Sequence, residues 1–332
     1  MPPPSPTRAL SMLSAGNIGA GEALRALVDD AWDVLPLPGG GDTLGRWRRL
    51  AVVASTDLSL AKLFEGHTDA LAIIAELAPS MRAPGTWATW AAEPPGGRVE
   101  ISGSLQESAR LCGTKRWCSG ALDVDHALVT CWRGDHGPFL AAVDLAQPGV
   151  RVRREGWHAV GMAATASFPV EFDNARARLV GGEGAYLARR GFWHGGAGIA
   201  ACWYGGAFAI AEAARADARA TPDPFRAARV GAIDVAMSQA AAMLREAAGW
   251  IDARPDADAR DVALRVRASV EHTATRVLEH AGAVMGAAAY CLDARFARMA
   301  ADLPVFLRQS HAERDLSALG ENVATRGVAW AL

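Results

Sequence analysis

Lysine is almost missing from this chain of 332 residues: Lys62 and Lys115 are the only two, and arginine carries the rest of the positive charge. The bias reads as coding composition and carries no functional weight. Cysteine is sparse as well. The five, Cys112, Cys118, Cys131, Cys202 and Cys291, are widely spaced and form no CxxC or CxxH pattern, which argues against a disulfide scaffold and a zinc site, so no metal is expected. Charge of one sign is not in excess. With 34 basic and 36 acidic residues, a net charge of −2, nothing draws the chain generally toward nucleic acid or an anionic membrane. The start, MPPPSPTRALSMLSAG, lacks the basic-then-apolar order of a signal peptide; the expectation is a disordered lead-in over residues 1–18 and a reducing, cytoplasmic compartment. Long apolar runs are absent apart from one. Gly195 to Ala211 has no charged residue, yet it falls short of the ~20 apolar residues of a membrane span and is rich in Gly and Ala, so it reads as a helix buried among other helices.

What is present is a hydrophobic period that changes twice along a chain that is 51% hydrophobic, enough at this length for two or three buried cores. Residues 19–83 predict an N-terminal α-helical domain: GEALRALVDDAWDVL, a PLPGGGD break, then a long stretch in which Leu58, Leu60, Leu63, Phe64, Leu71, Ile74 and Leu77 recur near helical spacing. Glu65 and His67 interrupt that stretch, either as a polar patch lining a cavity or as a helix end with a solvent-facing His. Residues 84–184 hold seven short strand-like runs, TWATWAAE, GRVEISG, TKRWCSG, HALVTCW, PFLAAVDL, VRVRREGW and FPVEF, and predict a middle β-barrel or sandwich. Residues 185–332 return to the helical period in four blocks. The second opens with a Thr or Asp cap before Pro and runs to Arg254, the third starts at Asp256 or Asp258, and the last, LPVFLRQSHAERDLSALG, closes at Gly320. The predicted fold class is a multi-domain α+β chain ending in a four-helix bundle.

Within the β region the stretch LCGTKRWCSGALDVDHALV predicts a hairpin, with a strand through Thr114 to Ser119, a turn over Gly120 to Asp125 and a second strand from Ala127. Strand alternation then puts Trp117 and Ser119 on one face. An indole beside a hydroxyl suits a flavin, stacking on its ring and hydrogen-bonding its redox-active nitrogen, while ordinary packing is the bland alternative.

The α, β, α order, together with GTKRWCSGA, AAEPPGG at Ala91 to Gly97 and VDLAQPGVRVRREGWHAVGMAATASFPVEFDNARA, resembles the acyl-CoA dehydrogenase family from roughly Asp57 to Gly320. The resemblance implies FAD, with FMN as the other candidate, stacked on Trp117 and bonded by Ser119. It implies a small-molecule substrate such as an acyl-CoA, and a homodimer or homotetramer that completes the cofactor site across its interface. Further cofactor-binding positions implied by the resemblance are Ala92, Glu93, Arg98, Arg219 and Gly286. Several depart from the family pattern. Ala92 stands where the family has Thr, Arg98 stands in place of a Ser near the pyrophosphate, and Gly286 is followed by Ala287 rather than a second Gly.

The catalytic base departs most. Proton removal beside a thioester carbonyl needs a carboxylate, and aligning the last block through Asp302 puts Ser310 there, with His311 beside it and Glu313 three residues on. The family's other location for the base falls near His194, Gly195 and Gly196, again without a carboxylate. Three readings follow, and the first leads because the family the chain resembles consists mostly of dehydrogenases. A CH–CH dehydrogenase would use Glu313 or Glu65 as base. A monooxygenase of the same superfamily would take reduced flavin and oxygen and employ Ser119, Ser310 and His311. A non-catalytic member would keep the fold as a binding or assembly module.

Overall fold

The computed structural model describes residues 8–103, 109–326 and 330. Among these described residues four helices come first: α1 (Arg8–Ser14), α2 (Ala20–Asp29), α3 (Thr43–Thr56) and α4 (Leu58–Leu77). Seven strands follow, β1 (Trp87–Trp90), β2 (Val99–Ser102), β3 (Ala109–Cys118), β4 (His126–Arg133), β5 (His136–Asp144), β6 (Val150–Val152) and β7 (Phe168–Leu179). The remainder is α5 (Ala185–Ala188), α6 (Gly191–Ala220), α7 (Pro224–Ala253), α8 (Arg260–Leu292), α9 (Ala294–Leu307) and α10 (Glu313–Arg326). Each strand falls on one of the seven runs read from the sequence. The chain forms two compact units whose limits cut across the three predicted segments: residues 8–35 with 59–192, and residues 36–58 with those from 193 onward.

The first of these units is built on the strands. Their order is β1-β4-β2-β3-β7-β5, and β5 also pairs with β4, so the sheet closes on itself, with β6 added to β7. Closure removes exposed edges and leaves an inside that must be filled. On one side, α4 lays Ala70, Ile73 and Ile74 against Trp87, Leu128, Leu140 and Ala142. The β1 end is fixed by Asp125, whose carboxylate accepts from the Thr86 amide at 2.8 Å, the Thr86 hydroxyl at 2.9 Å and Arg25 at 2.8 Å. Burial pushes that carboxyl up, but the hydrogen bonds from Thr86 and Arg25 outweigh it and hold it below the ordinary carboxylate range.

Three expectations are corrected in this unit. Residues 8–14 of the supposed lead-in are helical, with Ala9, Leu10 and Leu13 buried, because RALSMLS carries its own apolar face behind the prolines; residues 1–7 lie outside the described residues. His67 is neither solvent-facing nor at a helix end. It is fully buried in α4, where Nδ1 accepts the Trp87 amide at 3.0 Å, which leaves the proton on Nε2 to reach Asp33 Oδ2 at 3.2 Å. Finally, β3 and β4 do not form a hairpin. Turn bonds from Ala121 to Cys118 and from Asp123 and Val124 to Gly120 carry residues 120–125 away from β3, Ala121 and Val124 are buried, and β3 pairs instead with β2 and β7.

In the second unit, α6, α7 and α8 are 30, 30 and 33 residues long. Asp223 caps α7 ahead of Pro224, accepting from the Phe225 and Arg226 amides. The start of α3 is tied to the end of α7 by Thr43, whose hydroxyl donates to Asp252 at 2.6 Å. By length and composition α6 is apolar enough to cross a membrane, but 72% of its most apolar window is buried inside the molecule. Its glycines let neighbours approach: a Cβ on Gly205 would strike the Ala51 carbonyl of α3. The last predicted block is divided. α9 stops at Leu307, Ala312 takes a left-handed φ of 40°, and α10 runs past Gly320 to Arg326.

Gly205→Ala is expected to destabilise the protein by about 1–3 kcal/mol through overpacking, although Ala is the better helix former. Gly231→Ala, in α7 with nothing near its Cβ position, should stabilise by about 0.5–1 kcal/mol; thermal unfolding followed by circular dichroism reads both. Asp125→Asn should cost about 1 kcal/mol at neutral pH. Because the folded carboxyl is lowered, its contribution is complete above the ordinary carboxylate range and fades as pH falls through the lowered value, so variant and wild type should converge in acid.

Candidate functional site

The site is built around a buried cation on β3. Lys115 is 2% exposed, and its Nζ donates to Thr130 Oγ1 at 2.5 Å and to Glu93 Oε1 at 2.6 Å. The Thr130 hydroxyl also bonds Glu93 Oε1. A lysine without such partners would not stay inside a barrel. Glu93 is therefore a strut, and it brings the loop after β1 onto β3. Arg116 donates to the Pro95 carbonyl at 3.2 Å, and a Cβ on Gly97 would meet Arg116 and the Thr114 carbonyl. The two motifs that carried the family resemblance are thus brought together. The same burial pushes the neighbouring Cys131 thiol up to about 12, and the Cys118 thiol up as well.

Two residues beyond Lys115 the strand is broken on purpose. The register with β7 shifts between Lys115 and Cys118, and Trp117 takes φ 58°, a left-handed conformation costly for a bulky residue. Trp117 is 58% exposed. Simple alternation, which put Trp117 and Ser119 on one strand face, is corrected here: Arg116 and Trp117 are both exposed, β3 ends at Cys118, and Ser119 lies in the following turn. The two residues are still neighbours, since the Ser119 amide donates to the Trp117 carbonyl at 3.1 Å.

Ser119 is held from behind. Trp90 Nε1 donates to its carbonyl at 3.0 Å, and the Gly120 amide donates to the Thr165 carbonyl at 2.8 Å. The Ser119 hydroxyl meets Ser167 Oγ at 2.9 Å, which meets Thr165 Oγ1 at 2.9 Å, which donates to the Met162 carbonyl at 2.8 Å. Thr165 ends a 3-10 turn flanked by left-handed Met162 (φ 58°) and Ala166 (φ 43°), and Ser167 follows it. Sequence reading missed Lys115, Thr130, Thr165 and Ser167. The signal for the first was its rarity among arginines, and for the last two a pair of hydroxyls two residues apart in GMAATAS.

Ala92 is exposed beside Glu93. Arg98 bonds Glu100 at 2.6 Å and the Gly134 carbonyl, and lies 5.0 Å over the Trp132 ring, so much of its guanidinium is engaged on the barrel itself. Glu65 pairs with Lys62 at 2.9 Å. Lys62 and Ser119 line a cavity of about 10 Å³, at most one water in size.

Arg219, Gly286, Ser310, His311 and Glu313 belong to the other unit. Arg219 ends α6 beside a groove of about 540 Å³ that Arg215 and Asp223 also line. Gly286 kinks α8, with φ 66° and open space where a Cβ would stand. Ser310 and His311 occupy the break between α9 and α10, and Glu313 opens α10. Ser310 Oγ accepts the Ala312 amide at 3.1 Å, His311 is 59% exposed and 3.7 Å from Asp315, and Glu313 is exposed in the first turn of α10.

No protein-family model matches the sequence, nor does any curated protein. Solved structures match in fold. Methanesulfinate monooxygenase MsuC from Pseudomonas fluorescens has a TM-score of 0.79 at 20% identity, over 99% of this chain and 98% of that one. KijD3 in complex with FMN and dTDP-3-amino-2,3,6-trideoxy-4-keto-3-methyl-D-glucose gives 0.77 at 20% identity, over 97% and 91%. Dibenzothiophene monooxygenase TdsC from Paenibacillus sp. A11-2, also solved with FMN and indole, gives 0.74 at 21% identity, over 97% and 98%. These neighbours share an acyl-CoA dehydrogenase-like fold, and the likeness establishes that fold for this chain.

Lys115→Ala is expected to cost about 3 kcal/mol, because it strands Glu93 and Thr130 and opens a cavity. Chemical denaturation should show the loss in the midpoint, and a change below 1 kcal/mol would refute the anchoring role.

Proposed function

We propose that this chain is a flavin-dependent oxidoreductase that uses reduced FMN and molecular oxygen to oxygenate a small organic substrate. The observation that carries the reading is the exposed, strained Trp117 indole beside a Ser119 hydroxyl fixed by buried partners. A flat apolar wall next to a single oriented polar group fits the ring of a flavin. The strain at Trp117 supports a functional purpose, since packing alone would not ask a large residue to leave the strand conformation.

Bound flavin would supply the electrons and the activation of oxygen. Trp117 would stack on the ring, Ser119 would meet its redox-active edge, and the Glu93–Lys115 strut would hold both in place. FMN is preferred to FAD because KijD3 and TdsC were solved with FMN, and because Ala287 stands where the resemblance places a second Gly at the FAD pyrophosphate.

The CH–CH dehydrogenase reading finds less support. It needs a carboxylate to take a proton, yet Glu65 is engaged by Lys62 and Glu313 stands in solvent. Ser310 and His311, which the sequence reading assigned to the oxygenase, lie in the other unit and carry no part of this proposal. A homodimer or homotetramer is part of the same proposal.

Adding FMN to the purified protein, oxidised in air or dithionite-reduced under argon, should give saturable binding. Trp117→Ala should weaken it roughly fivefold to tenfold, the worth of an aromatic stacking contact. If neither form binds, the flavin reading fails and a non-catalytic role stands. If flavin binds and an acyl-CoA panel bleaches it anaerobically, the dehydrogenase replaces the oxygenase.

A further inference from the structure

Three hydroxyls behind Trp117 have only one consistent arrangement of protons. Thr165 Oγ1 lies 2.8 Å from the Met162 carbonyl. A carbonyl oxygen can only accept, so the single Thr165 proton is directed there. Ser167 Oγ, 2.9 Å from Thr165 Oγ1, must then be the donor of that contact. Its proton committed, Ser167 can only accept from Ser119 Oγ, also at 2.9 Å. The Ser119 proton is thereby turned inward. What remains on Ser119 Oγ for a ligand is lone pairs.

Thr165 and Ser167 are 1% and 5% exposed, so bulk water does not rescue a reversed arrangement. The turn that carries them is fixed by left-handed Met162 and Ala166 and by the bond from Gly120 to Thr165. The order of donors is therefore a property of the folded barrel.

From this we infer that Ser119 is wired as an acceptor and that the site selects reduced over oxidised flavin. The inference rests on the flavin reading above. A reduced isoalloxazine carries an N–H at N5, which an acceptor satisfies. The oxidised ring presents a lone pair at N5, which would face the Ser119 lone pairs with no proton between them. Sequence resemblance alone suggests only that Ser119 bonds this nitrogen; the hydroxyl chain decides in which direction.

The difference between a formed and an unformed hydrogen bond corresponds to a preference of about tenfold for reduced FMN. For a two-electron couple this raises the midpoint potential of bound FMN by about 30 mV over the free cofactor. Thr165→Val tests the direction without touching Ser119 or Ser167. It removes the acceptor that orients Ser167, so Ser167 can donate to Ser119 and free the Ser119 proton to point outward, while the Met162 carbonyl keeps the Thr165 amide at 3.1 Å. Ser167→Ala is the second variant, deleting the acceptor that holds the Ser119 proton, and it serves if the first does not fold.

Dissociation constants for oxidised and anaerobically reduced FMN, with bound midpoint potentials, would be measured for wild type and both variants. The expected result is a wild-type preference for the reduced form that shrinks at least threefold in either folded variant, through tighter binding of oxidised FMN. A wild type without that preference, or variants with an unchanged ratio, would overturn the wiring while leaving the flavin site in place. Binding of neither form by the wild type would overturn the flavin reading and this inference together.

Discussion

A buried ammonium in a closed barrel dictates much of what surrounds it. Lys115 cannot leave water unless its charge and its protons are matched, and Glu93 and Thr130 do this from the loop after β1 and from β4. That requirement joins three segments far apart in sequence. It draws the Glu93–Gly97 loop onto β3, and the strand beyond Lys115 then has little freedom. The bulge that turns Trp117 outward is placed two residues from this anchor.

Strain and satisfaction are paired around the hydroxyl chain. Trp117, Met162 and Ala166 all have positive φ without being glycine. Such conformations persist when neighbouring bonds over-determine them, and here Trp90, Gly120, Thr165 and Ser167 supply those bonds. The result is a polar group whose direction is set before any ligand arrives. Preorganisation of this kind contributes to recognition because the ligand does not have to reorder the site.

The helical unit obeys a different constraint, close approach. Gly205 and Gly206 on α6 leave no room for a Cβ against Ala51 and Leu58. Small residues there let long helices meet at the backbone, while the polar candidates Ser310, His311 and Glu313 collect where the α9–α10 path breaks.

Sequence by itself determined the secondary elements, since all seven strand runs and the long helices follow from period and from Gly and Pro punctuation. It also pointed to Trp117 and Ser119, through a short motif whose residue types suit an aromatic ligand. What it misjudged was non-local. Alternation failed at Trp117 because a bulge shifts register, and bulges are set by the partner strand. The apparent hairpin failed because residues 120–125 bury Ala121 and Val124 and send β4 elsewhere in the barrel. Lys115 looked like one more polar strand residue until burial made its partners obligatory. Above all, the direction of the Ser119 proton depends on Ser167, Thr165 and the Met162 carbonyl, more than forty residues downstream. A residue type fixes which groups a side chain carries; only the tertiary neighbours decide which of them are already used.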